Sequence, residues 1–258
     1  MPTMPSSRTL LAFVAIAISG FGQASSNIGA SEAPPIVVDR AGSEIFPASW
    51  LTKKIDAKAE VLRDADRERA RRIIVAALEK YPPAVLAANL QSVYLVGRLE
   101  YSGVVTGGTN SRDVVYVVAP GDYSSAKIER IFHAEFSSIL LRNHRRSFAE
   151  EAWLKINPPD FRYLGSGVQA VREKQASTAL QPALHEQGFL NKYGQASIEE
   201  DFNSFAGRLL LGDAQLWAAV ERYPAVKAKA DHVIEFYGRL DPGFTPEFFQ
   251  SLQAPVGR

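Results

Sequence analysis

Glu135 is the residue best placed to do chemistry, in the middle of the run Ser125 to His144, S-A-K-I-E-R-I-F-H-A-E-F-S-S-I-L-L-R-N-H. Ser124 or Ser125 can cap a helix here, and neither Gly nor Pro interrupts it. Arg142, His144, Arg145 and Arg146 suit the negative end of its dipole. At about 100° per residue, Ile128, Ile131, Phe132 and Ile139 form one stripe with Glu135 at its centre. Phe136, Leu140 and Leu141 widen the apolar surface, so the helix is expected to be largely buried. A buried, unpaired carboxylate costs on the order of several kcal/mol. Glu135 must therefore find a cation from elsewhere, take up a proton, or face a wet cleft. The neighbouring Ser137 and Ser138 do not form a nucleophile site, because no G-x-S-x-G elbow surrounds them and no His/Asp pair can be placed beside them.

The elements that must position this helix follow from the pattern on either side. From Asp56 to Tyr81 the apolar spacing is helical, and Pro82-Pro83 end it. Ser92 to Leu99, Gly103 to Thr106 and Asp113 to Ala119 are rich in β-branched and aromatic residues and read as strands. Gly107-Gly108-Thr109-Asn110 reads as a turn between the last two. Ile36 to Val38 has the composition of a short edge strand. After the central helix, Ser147 with Glu150 and Ser197 with Glu200 have capping-box spacing, the second opening a helix to Leu211 that Gly212 stops. Residues 160–196 carry no clear period, as expected of a lid or binding loop. Helices follow around Trp217, from Pro224, and after Thr245-Pro246. The fold class is α+β and mostly helical: a small sheet packed on a central buried helix, then a helical C-terminal part.

The 258 residues are 46% apolar and 22% charged with a net charge of +1, and no basic block marks a nucleic-acid surface. The absence of cysteine excludes disulfides, thiolate ligands, a Cys nucleophile and an acyl anchor. Arg8, the apolar run Leu10 to Phe21, and the small residues Gly22 and Ala24 have the form of a secretory signal peptide. The run is short for a span of about 20 residues. The expected organisation is a signal peptide over 1–24, a linker over 25–35 and one domain over 36–258. The expected location is periplasmic or secreted, with no stable membrane span after cleavage.

The element order is that of the zincin metallopeptidases, and residues 81–206 resemble a family of exported zinc metallopeptidases found beside nutrient-uptake systems. The matching pieces are Y-P-P-A-V-L, the G-G-T segment, V-V-Y-V-V, F-H-A-E-F-S-S-I-L and E-E-D-F-N-S-F-A. The resemblance implies a zincin-like (gluzincin-like) domain with a zinc motif H-E-x-x-H on the central helix. There two imidazoles at i and i+4 hold the ion and the Glu activates its water. Aligning that Glu on Glu135 places Ala134 and Ser138 where the histidines belong, so the motif is degenerate. The family's third ligand, a Glu on a later helix, lands on Glu200 by the E-D-F pattern. Helical phase instead brings Glu199 to the border of the buried stripe Phe202, Phe205, Ala206 and Leu209, and turns Glu200 outward. Both stand as candidates, with a slight preference for Glu199.

Nearby histidines do not replace the missing pair. His133 and His144 share a helix face on the side away from Glu135, but lie about 16 Å apart along the axis, too far for one ion. Both are expected at the helix surface or cap, and His185 and His232 are isolated. The expected function is an exported zincin-like pseudoenzyme without a cofactor, binding or scaffolding a peptide or envelope-protein partner. The alternative is a working hydrolase with zinc held by His133, Glu135 and Glu199 or Glu200, or with paired carboxylates alone. Lytic transglycosylases also use a helix-borne Glu in an E-F-S-S-like context, but their Gly-Leu-Met-Gln segment is absent.

Overall fold

A computed structural model describes residues 35–173 and 177–253; the expected leader and most of the linker lie outside them. The described chain is α+β. Its sheet is built on β3 (Ser92–Tyr101), which is flanked by β1 (Ile36–Val38) and β6 (Val114–Val118), both parallel to it. β2 (Lys58–Val61) pairs antiparallel with the second half of β3 on the same side as β1. β4 (Val104–Val105) turns back on the end of β3, and β5 (Gly108–Asn110) runs antiparallel to β6 at the sheet edge.

Alternation along β3 and β6 divides the apolar side chains between two layers. Val93, Leu95, Val115 and Val117 face the main core beneath α1 (Asp64–Leu78) and α3 (Ser125–Asn143). Val96, Tyr116 and Val118 face a smaller cluster with Ile45, Phe46 and Ala57. The short α2 (Pro83–Asn89) starts at the diproline and leads into β3. On its other side α3 packs along α7 (Ile198–Leu211), where Gly207 permits close approach. A Cβ there would sit 3.0 Å from the Arg130 carbonyl oxygen and 3.4 Å from the Ala134 Cβ.

The remaining helices are α4 (Glu150–Ile156), α5 (Gly167–Arg172), α6 (Pro182–His185), α8 (Ala214–Arg222), α9 (Pro224–Leu240) and α10 (Pro246–Ser251). Trp153, Phe148, Phe202, Phe205 and Phe236 join α4, α7 and α9 in one aromatic core. Gly212 ends α7 at φ +72°, a left-handed cap that glycine adopts without steric cost. Among the described residues no helix is long and apolar enough to cross a membrane.

Three local expectations are corrected. The helix expected from Asp56 begins only at Asp64, because Lys58–Val61 fills the edge of β3 beyond β1. The Gly107–Asn110 stretch contributes strand β5 rather than a turn. Its glycine answers to the neighbouring helix: a Cβ on Gly108 would lie 2.6 Å from Ile131 Cγ2 and 3.0 Å from Glu135 Cγ. The Ser147/Glu150 capping box does not form, since α4 starts without a side-chain cap and Glu150 pairs with Arg145.

Candidate functional site

The β5 glycine and the α3–α7 packing leave a cleft with Glu135 on its floor. Two adjoining cavities of about 220 and 330 Å³ share Glu135, Glu200, Tyr193, Thr106, Gly108 and Val171 as walls. α3 presents Glu135 upward, β5 closes one side, and the first turn of α7 closes the other. The segment containing α5 covers the cleft, with Gly167 against the Glu200 carboxylate and the Tyr193 hydroxyl so closely that a Cβ would collide with both.

Asn110 on β5 organises the polar floor. Its Nδ2 donates to Glu135 Oε2 at 2.6 Å, and its Oδ1 accepts from Arg142 Nη2 at 2.5 Å. Arg142 also donates to the Ser111 carbonyl at 2.8 Å and to Glu199 Oε1 at 2.9 Å. Among the described residues Glu135 thus reaches a cation through an amide, and Glu199 holds that cation directly. Desolvation pushes the Glu135 carboxyl up to about 7, the Glu199 charge adding and the Asn110 hydrogen bond and Arg142 opposing. Desolvation also pushes Glu200 up to about 8, helped by the charges of Glu135 and Glu199 and opposed by the Tyr193 hydroxyl. The Tyr193 hydroxyl is raised by burial and by the same carboxylates. Both carboxyls are thus held toward their protonated forms, chiefly by desolvation.

The structure brings together Glu135, Glu199 and Glu200 but separates them from every histidine. The phase that turned Glu200 outward is corrected. Ser197 caps α7 by accepting from the Glu200 amide at 3.2 Å, while the Glu200 side chain folds back into the cleft beside Tyr193. Glu199 is at the cleft too, committed to Arg142.

His133 is fully buried rather than on a helix surface, and it faces the opposite side of α3. Its Nδ1 lies 2.8 Å from the Tyr81 hydroxyl and its Nε2 3.3 Å from Glu129, which pairs with Lys80 at 2.5 Å. Burial pushes its imidazole down, against the pull of Glu129. His144 is the C-cap of α3 through its amide, which donates to the Leu140 carbonyl, while its Nε2 meets Asn89 Oδ1 at 2.9 Å. His185 is buried edge-on to Tyr223, and His232 lies 3.7 Å from Glu235.

Ala134 lines the larger cavity opposite α7. Ser138 is buried, its hydroxyl accepting from Asn203 Nδ2 at 2.6 Å. These residues do not suit zinc. No histidine lines either cavity, every available donor is an oxygen, and Arg142 already holds Glu199. Among the described residues, no group of three or more His, Asp or Glu side chains converges as a ligand set.

Asn110, Tyr193 and Gly167 were not legible as site residues. Asn110 sat in the presumed turn, and the other two fell in a stretch without period.

No family model matches the sequence, and no curated protein matches it. Among solved structures the chain is similar to a Bacteroides caccae protein described as a candidate zinc-binding metallo-peptidase. The two share 12% identity over 72% of each chain, with a TM-score of 0.49.

Proposed function

We propose that the chain is an exported, zincin-like protein whose cleft binds an extended peptide and does not hydrolyse it through zinc. One observation carries this reading: Glu135 occupies the cleft floor while its flanking positions hold Ala134 and Ser138, with no imidazole in the cavity walls. Without imidazoles to hold an ion, the cleft lacks the metal-lowered water pKa on which zinc hydrolysis depends.

The peptide class follows from β5. Val118 N–H donates to Gly107 and Ser111 N–H to Val114, so the residues between alternate. Gly108 and Asn110 therefore turn their backbone groups away from β6 to the sheet edge, where the Gly108 carbonyl accepts from the Thr106 hydroxyl at 2.8 Å and an added strand can pair with the remaining groups. Tyr101, Val104, Val168 and Val171 give the smaller cavity an apolar wall for a side chain. Isothermal titration with mixed-sequence peptides tests this. Binding is expected in wild type and is lost in Gly108→Val, whose side chain collides with Ile131 and Glu135 and so displaces β5; equal binding by both proteins overturns it. Export rests on the leader pattern alone. N-terminal sequencing of the exported protein is expected to begin near residue 25, and a product starting at Met1 refutes it.

A second reading is favoured by the raised carboxyls at about 7 and about 8, because acid–base catalysis works best with groups near the operating pH. In that case the same peptides would be cleaved without added metal, and either Glu135→Gln or Glu200→Gln would abolish cleavage.

A further inference from the structure

The larger cavity extends past Glu135 to a basic end formed by Lys127 and Arg130 on α3, with Thr178 and Ser204 opposite. Arg130 lies five residues before Glu135, about 7.5 Å along the helix axis. Among the described residues its one side-chain hydrogen bond is a long one, 3.4 Å, to the Thr178 hydroxyl. Lys127 rests over the Tyr123 ring, 3.1 Å from its centroid. Among the described residues neither forms an ion pair, whereas eight other arginines do.

Behind Arg130 stands Arg208, 8% exposed, which pairs with Asp213 and donates to the Thr178 carbonyl at 2.9 Å. Among the described residues its Nε has no partner. Burial and the Arg208 charge both work against the Arg130 cation, and Asp213 only partly offsets them. Arg130 and Arg208 thus share the Asp213 carboxylate at the end of an open cavity, with Lys127 at its exposed mouth. Partly desolvated cations held together without compensation are destabilising unless an anion joins them.

We propose that the Lys127–Arg130 end of the cleft is a carboxylate subsite, receiving either the C-terminal carboxylate or an acidic side chain of the peptide bound along β5. This rests on the peptide-binding reading of the cleft. The guanidinium of Arg130 supplies the planar fork for the carboxylate, Lys127 adds charge at the mouth, and Thr178 and Ser204 supply hydroxyls. No covalent step is involved.

The test uses the full chain and a mixed-sequence pool of N-acetylated pentapeptides without acidic residues, prepared as free acids and as C-terminal amides. A third pool is amidated but ends in aspartate. Affinity is read by titration calorimetry at two salt concentrations. The free acids are expected to bind at least about tenfold tighter than the amides, the loss typical of a charge-assisted contact. Arg130→Gln and Lys127→Gln should each shrink that ratio, and Arg130→Lys should keep part of it. Because Lys127 is exposed, its variant remains informative if Arg130→Gln fails to fold.

Recovery of affinity by the aspartate-ended amides supports the subsite and identifies a side-chain carboxylate as sufficient. Equal binding of acids and amides by wild type overturns the subsite and leaves the peptide reading standing. Binding of none of the three pools overturns both.

Discussion

Asn203 donates its Nδ2 to the Ser138 hydroxyl at 2.6 Å, between α7 and α3, while its own Oδ1 accepts from no neighbour. Both side chains are buried. A neutral hydrogen bond therefore closes the position at which an H-E-x-x-H helix would carry its second imidazole. Ser138→Ala strips Asn203 of its remaining partner, and leaving a buried amide unsatisfied costs about 1–3 kcal/mol. Urea denaturation of Ser138→Ala should show a loss in that range with an unchanged m-value. A neutral outcome would mean that the pair contributes nothing to holding α3 on α7.

The raised carboxyls set a pH dependence. A glutamate whose folded pKa lies above its unfolded value binds more protons when folded, so stability falls as pH rises. For Glu135 and Glu200 the decline begins above the model-peptide value near 4.5 and runs through about 7 and about 8. Glu200→Gln should flatten the upper part of this decline. It should leave stability near pH 4 unchanged and raise it at pH 8.5 by on the order of 1 kcal/mol, discounted for the group's partial exposure. Denaturant midpoints across pH 4–9 decide the matter; a variant that parallels wild type throughout argues against a protonated Glu200.

The central helix was legible because its signals agree: a Ser cap, an unbroken run, and Ile128, Phe132 and Ile139 on one stripe, all buried. Strands β3 and β6 were legible from their β-branched runs. Strand β5 was not, because glycines placed there to admit Ile131 and Glu135 also carry the local signature of a turn. Glu200 was misplaced because its amide does serve the Ser197 cap while its side chain answers to Tyr193, a partner in a segment without periodicity. His133 was read as a surface residue because helical phase measures only distance from one stripe. Packing by Tyr81 on the opposite side of α3 is a tertiary fact.

Beneath the cleft, Lys229 on α9 pairs with Asp201 on α7 at 2.6 Å, both fully buried. Asp201 also accepts from the Tyr163 hydroxyl at 2.7 Å, and Tyr163 receives the Trp153 indole N–H at 3.0 Å. The neighbouring Leu164 and Gly165 amides donate to the Gln195 and Ala196 carbonyls at 3.1 and 2.8 Å, which ties the cover segment to the Tyr193 turn. Lys229→Met leaves Asp201 charged without its cation, and breaking a buried pair in this way costs about 3–5 kcal/mol. The double variant Lys229→Met, Asp201→Asn should recover much of that loss. Hydrogen exchange should show residues 163–167 and 193–196 opening in the single variant first; uniform loosening of the whole chain would argue against a local anchor.

A pair of imidazoles can be installed in the cleft. Positions 134 and 138 are one helical turn apart on the side of α3 that meets α7, flanking Glu135, and the larger cavity leaves room beside Ala134. Ala134→His with Ser138→His restores two imidazoles at the spacing that holds one zinc, with the Glu200 carboxylate across the cleft as an oxygen donor. The substitution at 138 displaces the Asn203 hydrogen bond, so the double variant should be less stable than wild type without metal and regain stability when zinc is added. Wild type should retain only substoichiometric zinc after dialysis and show no change in melting temperature with zinc or chelator. Adding Glu200→Gln to the double variant should weaken its zinc affinity by about tenfold or more. Elemental analysis after equilibrium dialysis, read beside the melting curves, separates the outcomes. Stoichiometric zinc in the native protein, lost on Glu135→Ala, would show that the oxygen-donor cleft holds the ion after all and would favour the hydrolase reading over peptide binding alone.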